Sequence, residues 1–281
     1  MVVPQQDSIG QDSRHSLIGH SLIGQTSIGH RLLRSILRRL IGRDNQQFYE
    51  AIDWQQERER VQQPLTYPDY YTSPNFHGIE QGYLNPIAAI TYDAVTALAS
   101  PPQEMWVRQH LMAAIQGQPQ RILDLGCGTG TATLMLKQAF PTAVVTGLDL
   151  SPYMLVVAAE KARKAGMAIE WRHGLAESTE FEAGQFDLVT ASFLFHETPP
   201  QVALLILQEC FRLLKPGGQV LILDGNQHIL RHADWLIRLF QEPYSRVYAA
   251  GDTQAWMKSV GFQSTEAIGF GWIHQLNSGV K

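Results

Sequence analysis

Three glycines at close spacing form the first group of residues that could do chemistry. Gly126, Gly128 and Gly130 follow the apolar run Ile122–Leu125. A glycine turn between a strand and a helix lets the backbone approach a ligand closely, beside the free N–H groups that begin the helix. The spacing is not that of a dinucleotide fingerprint, because threonine stands where Gly-x-Gly-x-x-Gly needs its last small residue. A dinucleotide site is therefore disfavoured.

Asp149 is the second candidate binding residue. It closes the next apolar run, 23 residues after Gly126. A carboxylate at that position can accept hydrogen bonds from both hydroxyls of a ribose. The alternative role is a helix cap, but Ser151, just ahead of Pro152, suits the cap better. We therefore expect Asp149 to bind a ribose.

His196 is the candidate general base. It lies in the segment Ser192–Glu197, just past the end of a predicted fourth strand. Ligands of doubly wound sheets bind outside such strand ends, and a histidine there can accept a proton from a hydroxyl or a carbon acid. The alternative is a loop histidine that orients the backbone or packs against the N-terminal segment. The sequence leaves both roles open.

The elements that must position these residues alternate between strand and helix. Short, continuously apolar runs are typical of parallel strands that are covered on both faces. Five such runs occur, at 121–125, 144–149, 168–172, 186–191 and 219–224. Helices are predicted at 130–139, 152–165, 201–214, 230–240 and 252–260. Two last runs, 262–268 and 271–276, are linked too closely for a parallel crossover and predict an antiparallel hairpin.

Taken together, these motifs resemble the class I S-adenosylmethionine-dependent methyltransferases, and most nearly the small-molecule group that includes quinone-biosynthesis enzymes. The likeness rests on Asp124–Gly130, Asp149, Phe186–Val189 and Leu214–Gly218, in the order and spacing of that family. It covers about residues 105–281. It implies an α/β fold with a doubly wound, mostly parallel seven-stranded sheet, an antiparallel C-terminal hairpin and an N-terminal helical cap.

The resemblance also implies individual contacts to S-adenosylmethionine, the expected cofactor. The glycine turn would approach the methionine part, and Asp124 would help to hold its amino group. Asp149 would take the ribose hydroxyls, and Leu150 would pack on the adenine. The expected cofactor-binding residues are Asp124, Gly126, Cys127, Gly128, Gly130, Asp149, Leu150, Ala176, Glu177 and Ser192.

One segment departs from the family pattern. After the third strand the family often has Gly-Asp-Ala, whose aspartate contacts the adenine amino group. Here the segment is Gly174–Glu177, with Leu175 in the place of that aspartate. The backbone of Ala176, or the carboxylate of Glu177, is therefore expected to make the contact instead.

Composition excludes several classes of function and site. Residues 1–43 hold six arginines against two aspartates, although the net charge of the chain is −4, so the remainder is acidic and a nucleic-acid partner is not expected. Two cysteines, Cys127 and Cys210, make neither a disulfide framework nor a zinc site unaided. No metal-ligand cluster stands out, so no metal is predicted. Without a secretory signal or a membrane-spanning run, a cytoplasmic protein is expected.

Three segments precede the methyltransferase-like region, which is expected to begin at 105. Residues 1–30 hold a degenerate Ser-Leu-Ile-Gly repeat and predict disordered low-complexity sequence. Residues 31–43 predict a basic amphipathic helix, which either contacts an anionic membrane surface or docks on its own domain. Residues 44–104 predict the aromatic-rich cap, including a helix at 85–99; another helix is predicted at 104–116.

The expected function is methyl transfer to oxygen or carbon of a small, lipophilic organic acceptor. Acceptor specificity should come from the cap and from residues 227–248, with four aromatic candidates for the pocket: Tyr83, Tyr92, Trp235 and Tyr244. Two alternatives stay open, namely an enzyme that uses the cofactor for another group transfer, and a non-catalytic cofactor-binding or membrane-associated module. The sequence indicates neither the acceptor nor the oligomeric state.

Overall fold

A seven-stranded sheet forms the centre of the computed structural model, which describes residues 43–73, 76–99 and 104–281. Its strands are β1 (Arg121–Leu125), β2 (Val144–Asp149), β3 (Glu170–His173), β4 (Phe186–Ser192), β5 (Leu214–Gly225), β6 (Gln263–Phe270) and β7 (His274–Val280). Their order across the sheet is β3-β2-β1-β4-β5-β7-β6. The first five strands are parallel, and β7 runs antiparallel to both β5 and β6. The predicted fold class is confirmed.

Helices precede the sheet and cover both of its faces. Those before the sheet are α1 (Arg43–Ala51), α2 (Trp54–Val61), α3 (Asp69–Thr72), α4 (Pro86–Ala99) and α5 (Glu104–Ala113). Those after β1 are α6 (Thr131–Ala139), α7 (Pro152–Lys164), α8 (Pro200–Leu213), α9 (Gln227–Leu230), α10 (Asp234–Phe240), α11 (Ser245–Ala250) and α12 (Thr253–Val260). Short 3₁₀ turns occur at Phe76–Gly78 and Phe195–Glu197. No described helix is both long and apolar enough to cross a bilayer.

Two apolar layers hold the helices to the sheet. On one face, Ile206 of α8 packs with Met257 of α12 and Val189 of β4. On the other face, Leu111 of α5 and Leu136 of α6 form the second cluster. All of these side chains are fully buried, as continuously apolar parallel strands require. The two layers fix the carboxyl ends of the parallel strands in one plane.

The boundaries of four predicted strands are corrected by the structure. The third strand begins at Glu170 rather than 168, because its four residues pair with Thr146–Asp149. The fifth strand begins at Leu214, since that residue still pairs with Phe186 before the Pro-Gly turn. The hairpin strands extend to Phe270 and Val280, because Val280 pairs with Gln219 of β5 as well as with β6.

The N-terminal predictions are tested only in part. The repeat at 1–30 and the amphipathic helix at 31–43 lie outside the described residues, apart from Arg43, which begins α1. The predicted helix at 85–99 is found as α4, whereas the predicted helix at 104–116 ends at Ala113 as α5. The remaining domain boundaries stay predictions.

Candidate functional site

A cavity of about 690 Å³, counting its open mouth, lies at the carboxyl ends of the parallel strands. Gly126 and Gly128 follow β1 on one side of it, Leu148 and Asp149 end β2, and Phe193 follows β4. Clefts at this edge of a doubly wound sheet are the usual sites for small molecules.

The glycine turn requires glycine for two separate reasons. Gly126, Gly128 and Gly130 all have positive φ, at 63°, 53° and 77°. In addition, a Cβ on Gly126 would lie 2.8 Å from Leu194 Cδ1, and one on Gly130 would lie 2.7 Å from Trp171 Cη2. Gly126 and Gly128 line the cavity, while Gly130 is the N-cap of α6 and lies against Trp171. The turn therefore brings bare backbone to the cavity at two of its three glycines.

Asp149 is held at the cavity wall by the backbone around it. Its Oδ2 accepts a hydrogen bond from Gly128 N and its Oδ1 accepts one from Ser151 N, both at 2.7 Å. Burial raises the pKa of Asp149 to about 6, although the hydrogen bonds from Ser151 and Gly128 oppose the rise. Each carboxylate oxygen has a second lone pair that neither of these bonds uses. The side chain is thus oriented and can still accept two further hydrogen bonds.

Ser151 is the N-cap of α7, as the sequence predicted. Its hydroxyl accepts a hydrogen bond from Met154 N at 3.2 Å and donates one to Tyr83 O at 2.7 Å. The serine therefore connects the start of α7 to the N-terminal segment, and it leaves Asp149 out of the capping role.

The predicted adenine contacts lie together on another part of the wall. Leu150, Ala176 and Glu177 all line the cavity, next to the side chain of Met154. Tyr70 OH donates a hydrogen bond to Glu177 Oε1 at 2.6 Å, so the carboxylate is held from the N-terminal side. The apolar surface and the adjacent carboxylate suit a purine ring with an exocyclic amino group.

Three predicted contacts lie behind the cavity lining. Asp124 is buried, and its carboxylate accepts hydrogen bonds from Thr133 (2.6 Å) and Thr190 (2.8 Å), which ties β1 to α6 and β4. Burial raises the pKa of the Cys127 thiol well above its usual range, so this sulfur is not a nucleophile at neutral pH. Ser192 is buried, and no donor or acceptor among the described residues reaches its hydroxyl. Their contact with the cofactor stays a prediction.

In the loop after β4, Glu197 lines the cavity and the neighbouring His196 does not. His196 Nδ1 lies 2.6 Å from Asp224 Oδ1 behind that wall. Burial alone would lower the pKa of His196, but the carboxylates of Asp224 and Glu242 raise it well above its usual value. Sequence reasoning missed Glu197, although it directly follows the histidine that was singled out.

Aromatic residues of the N-terminal segment form the opposite wall. Tyr71, Phe76, Tyr83 and Tyr92 line the cavity, and the rings of Phe76 and Tyr83 stack at 5.2 Å. Tyr83 and Tyr92 were predicted for this pocket from the sequence. From here on, the cap means the described residues between 43 and 99, in place of the predicted bounds of 44–104.

The other two aromatic candidates do not line the cavity. Trp235 is 60% exposed on α10. Tyr244 donates its hydroxyl to Tyr70 O and contacts Phe76 from behind. Asp93, the residue after Tyr92, pairs with Lys161 at 2.8 Å. If residues 227–248 contact the acceptor, Trp235 is therefore not the residue that does so.

A cluster of metal-ligating side chains adjoins the cavity, and the sequence did not reveal it. His77 of the cap, Glu197 and Glu242 bring one ligand atom each to within 4.8 Å of one another. Tyr83 OH lies 2.7 Å from both His77 Nε2 and Glu197 Oε1. These residues come from three distant parts of the chain, so no local spacing could have predicted the group. The sequence-based prediction of no metal stays a prediction.

Comparisons with known proteins agree with this geometry. Residues 122–218, about a third of the chain, match the family model of a methyltransferase domain. The chain is 37% identical over 134 residues to a demethylmenaquinone methyltransferase of Thermus thermophilus, which covers 47% of this chain and 60% of that relative. It is 38% identical over 142 residues to the protein of the same name from Lactococcus lactis, covering 50% of this chain and 56% of that relative. The match thus spans less than two thirds of these curated relatives.

Solved structures show the same fold at low sequence identity. An S-adenosylmethionine-dependent methyltransferase from Aquifex aeolicus is 20% identical with a TM-score of 0.55, covering 70% of this chain and 98% of that one. The expectation of S-adenosylmethionine as cofactor is confirmed at the level of the domain class. Residues 122–218 therefore match a methyltransferase domain, and the chain has the fold of an S-adenosylmethionine-dependent methyltransferase, as the motifs predicted.

Proposed function

We propose that the chain transfers the methyl group of S-adenosylmethionine to carbon or oxygen of a planar, lipophilic aromatic acceptor of the quinol kind. The observation that carries the proposal is the cavity in which the glycine turn and Asp149 face an aromatic wall. The quinol class is supported by the relatives, which are named demethylmenaquinone methyltransferases.

The fit of the cofactor to the cavity follows from the residues that line it. Gly126 and Gly128 offer bare backbone to the amino-acid end, and Asp149 has two unused acceptor positions for the ribose hydroxyls. Leu150 and Ala176 offer apolar surface to the adenine. When bound, the cofactor supplies an electrophilic methyl group on a sulfonium sulfur.

The aromatic wall would do most of the catalytic work by alignment. Tyr71, Phe76 and Tyr83 present apolar surfaces against which a planar ring can lie, and they exclude water from the cavity. Holding the acceptor carbon or oxygen in line with the methyl group can contribute roughly 7–11 kcal/mol to the lowering of the barrier. This part of the chain is therefore where acceptor specificity should reside.

The polar end of the cavity would bind the acceptor oxygen. Glu197 faces the cavity, and Tyr83 OH fixes its carboxylate at 2.7 Å. His196 lies behind it with Nδ1 on Asp224. The geometry favours Glu197 over His196 as the group nearest the acceptor, so the predicted role of His196 as a general base is the weaker proposal.

Calorimetry with S-adenosylhomocysteine tests the cofactor site. Asp149→Ala removes two hydrogen bonds from ribose hydroxyls to a charged group, so we expect a loss of roughly 100-fold in affinity. Asp234→Ala is the matched control, because Asp234 is an exposed aspartate on α10 and should leave affinity unchanged. Equal affinity in the wild type and Asp149→Ala would refute the ribose role.

Mass spectrometry tests the reaction. The protein is incubated with a demethylated menaquinol and with a lipid extract, together with cofactor carrying a deuterated methyl group. A product heavier by one labelled methyl group in place of a hydrogen supports methylation, and fragmentation of that product distinguishes oxygen from carbon. Another mass shift would support a different group transfer. Tight cofactor binding without any product would support a non-catalytic module.

Peripheral membrane contact is a further part of this proposal. A lipophilic acceptor resides in membranes, and residues 31–43 place arginines opposite an apolar face in sequence. We also propose a cytoplasmic, reducing location, since both cysteines are free and buried. Flotation with anionic vesicles should fall when residues 31–42 are deleted; unchanged flotation would remove the membrane role of this segment.

A further inference from the structure

Four side chains converge at the polar end of the cavity. His77 Nε2 lies 3.2 Å from Glu197 Oε1. His196 Nε2 lies 3.6 Å from the same oxygen and 3.5 Å from Glu242 Oε1. We call His77, His196, Glu197 and Glu242 the His–Glu cluster. All four side chains are at most 21% exposed.

We propose that the His–Glu cluster is a binding site for a divalent transition-metal ion of the Zn²⁺ kind. Two imidazoles and two carboxylates are donors that Zn²⁺ and its neighbours accept together. Metal–ligand bonds of about 2.1 Å in a tetrahedron place the donor atoms about 3.4 Å apart. The distances of 3.2, 3.5 and 3.6 Å match three of the six edges of such a tetrahedron. His77, Glu197 and Glu242 already lie within 4.8 Å of one another, and His196 would complete the set on a small movement.

For His196 Nε2, hydrogen bonding explains the distances less well than a shared cation does. An imidazolium N–H normally brings a carboxylate oxygen to about 2.7–2.9 Å. His196 Nδ1 does so with Asp224, at 2.6 Å. His196 Nε2, in contrast, lies 3.5 and 3.6 Å from two different carboxylates. Nδ1 thus fixes the ring through its hydrogen bond to Asp224. Nε2 faces two carboxylates at the distances expected between two ligand atoms of one metal ion.

Partners outside the cluster orient His196 and both carboxylates. Asp224 holds His196, which gives the carboxylate–histidine arrangement that commonly supports a metal ligand. Ser245 Oγ donates to Glu242 Oε2, so that Oε1 faces His196. Tyr83 OH donates to Glu197 Oε1. Ligands that are fixed before the ion arrives lose little conformational entropy on binding.

One buried oxygen of the His–Glu cluster lacks a hydrogen-bond partner among the described residues. Among the described residues, no donor reaches Glu197 Oε2, although this oxygen is buried. A buried carboxylate oxygen without a partner is costly, and a cation would remove the cost. Two carboxylate ligands would also neutralise the charge of a divalent ion.

The position of the cluster suggests what the ion does, and this step rests on the proposed function. Glu197 lines the cavity that would receive the acceptor. An ion bound to Glu197 would lie next to the oxygen of a quinol-type acceptor and would polarise it. The site itself does not depend on that role, so metal binding can be measured without any acceptor.

Titration of the chelator-treated full chain with Co²⁺ tests the site. Four-coordinate Co²⁺ absorbs visible light far more strongly than six-coordinate Co²⁺, so the spectrum reports the geometry. We expect one equivalent to bind with an intense four-coordinate spectrum, and Zn²⁺ to displace it. Glu242→Gln and His77→Gln should each weaken binding at least about tenfold.

Matched controls separate the site from surface binding and from misfolding. His228→Gln and Glu182→Gln change an exposed histidine and an exposed glutamate outside the cluster and should leave the titration unchanged. Binding of S-adenosylhomocysteine by Glu242→Gln should persist, which shows that the variant is folded and tests the cofactor site separately. Weak, six-coordinate binding that is equal in all variants, or no binding at all, would overturn the metal site and leave the methyltransferase proposal intact.

Discussion

Asp149 illustrates how one side chain can organise a site before any ligand is bound. It accepts hydrogen bonds from Gly128 N and Ser151 N, and so it joins the glycine turn after β1 to the start of α7. Its burial raises its pKa to about 6, close enough to neutral pH for ligand binding to depend on pH. The turn and the carboxylate therefore act as one unit rather than as two separate motifs.

The affinity for S-adenosylhomocysteine should fall as the pH drops below the pKa of Asp149. Because the carboxylate form accepts the ribose hydrogen bonds, protonation below about pH 6 removes the preferred acceptor. We expect affinity to be constant from pH 7 to 8 and to weaken by about tenfold per unit well below pH 6. Calorimetry across this range measures it. The Asp149→Asn variant should bind weakly and without this pH dependence; the same slope in that variant would assign it to another group.

Gly126 allows backbone strain to be separated from ligand contact. Gly126 and Gly166 have φ values of 63° and 65°, so alanine costs about 1 kcal/mol of folding free energy at either position. Only at Gly126 would the new Cβ approach a neighbour, Leu194, at the cavity; at Gly166 nothing lies within 4 Å. Both variants should show a lowered Tm in thermal denaturation. Only Gly126→Ala should lose affinity for S-adenosylhomocysteine in calorimetry, and equal losses would mean that the turn does not approach the ligand.

At the scale of elements, β7 carries a histidine that is buried in its neutral form. His274 is 3% exposed, and neither ring nitrogen has a hydrogen-bond partner among the described residues. Burial lowers its pKa to about 4, while the carboxylate of Asp224 opposes the shift. Its ring packs against Phe193 and Phe270, so the position favours an apolar aromatic side chain.

The free energy of unfolding should fall on acidification through His274. The unfolded chain takes up a proton near pH 6.5, whereas the folded chain does so only near pH 4, so stability is lost as the pH falls between these values. The loss from this group is at most about 3 kcal/mol. Urea denaturation at pH 7 and pH 4.5 should show a smaller difference for His274→Phe than for the wild type. His228→Gln, at an exposed position, serves as control, and an undiminished difference in His274→Phe would contradict the assignment.

The elements around the glycine turn could be predicted because their signals are local. A buried apolar run followed by Gly126–Gly130, and a second run ending in Asp149, determine which side of the sheet binds the ligand. The residues that the sequence did not reveal are, in contrast, brought together by contacts between distant parts of the chain. His77 and Glu197 are 120 residues apart, and only the packing of the cap brings them to 3.2 Å. No periodicity in either segment carries that information.

At the scale of the whole molecule, the cap covers the cofactor cavity through contacts that can open. Tyr70 OH bonds Glu177 at 2.6 Å, Gln63 N donates to His173 Nδ1 at 3.0 Å, and Ser151 holds Tyr83 O. The cap also has buried apolar side chains, such as Phe76 and Ile90, so its opening must break both kinds of contact. Because Tyr70 and Tyr83 belong to the cavity wall, ligand entry and cap movement are expected to be coupled.

Hydrogen exchange should therefore report cofactor binding in the cap. We expect amides of α2 and α3 to exchange more slowly when S-adenosylhomocysteine is bound, because the ligand would fill the space under Tyr70 and Tyr71. Tyr70→Phe removes one hydrogen bond to a carboxylate and should speed exchange of α3 in the free protein by about tenfold. Amides of α8, which packs in the buried layer, should be unaffected by either change.

Comparing the effect of S-adenosylhomocysteine on amide exchange with the effect of Tyr70→Phe distinguishes a cap that moves from one that is fixed. If the cap opens as a unit, Tyr70→Phe and the ligand must act in opposite directions on the same amides, since both alter one opening equilibrium. If α2 and α3 exchanged at the same rate with and without saturating ligand, while calorimetry still reported binding, the cofactor would enter through the open mouth of the cavity. The cap would then serve the acceptor alone, and its aromatic wall would be a preformed surface.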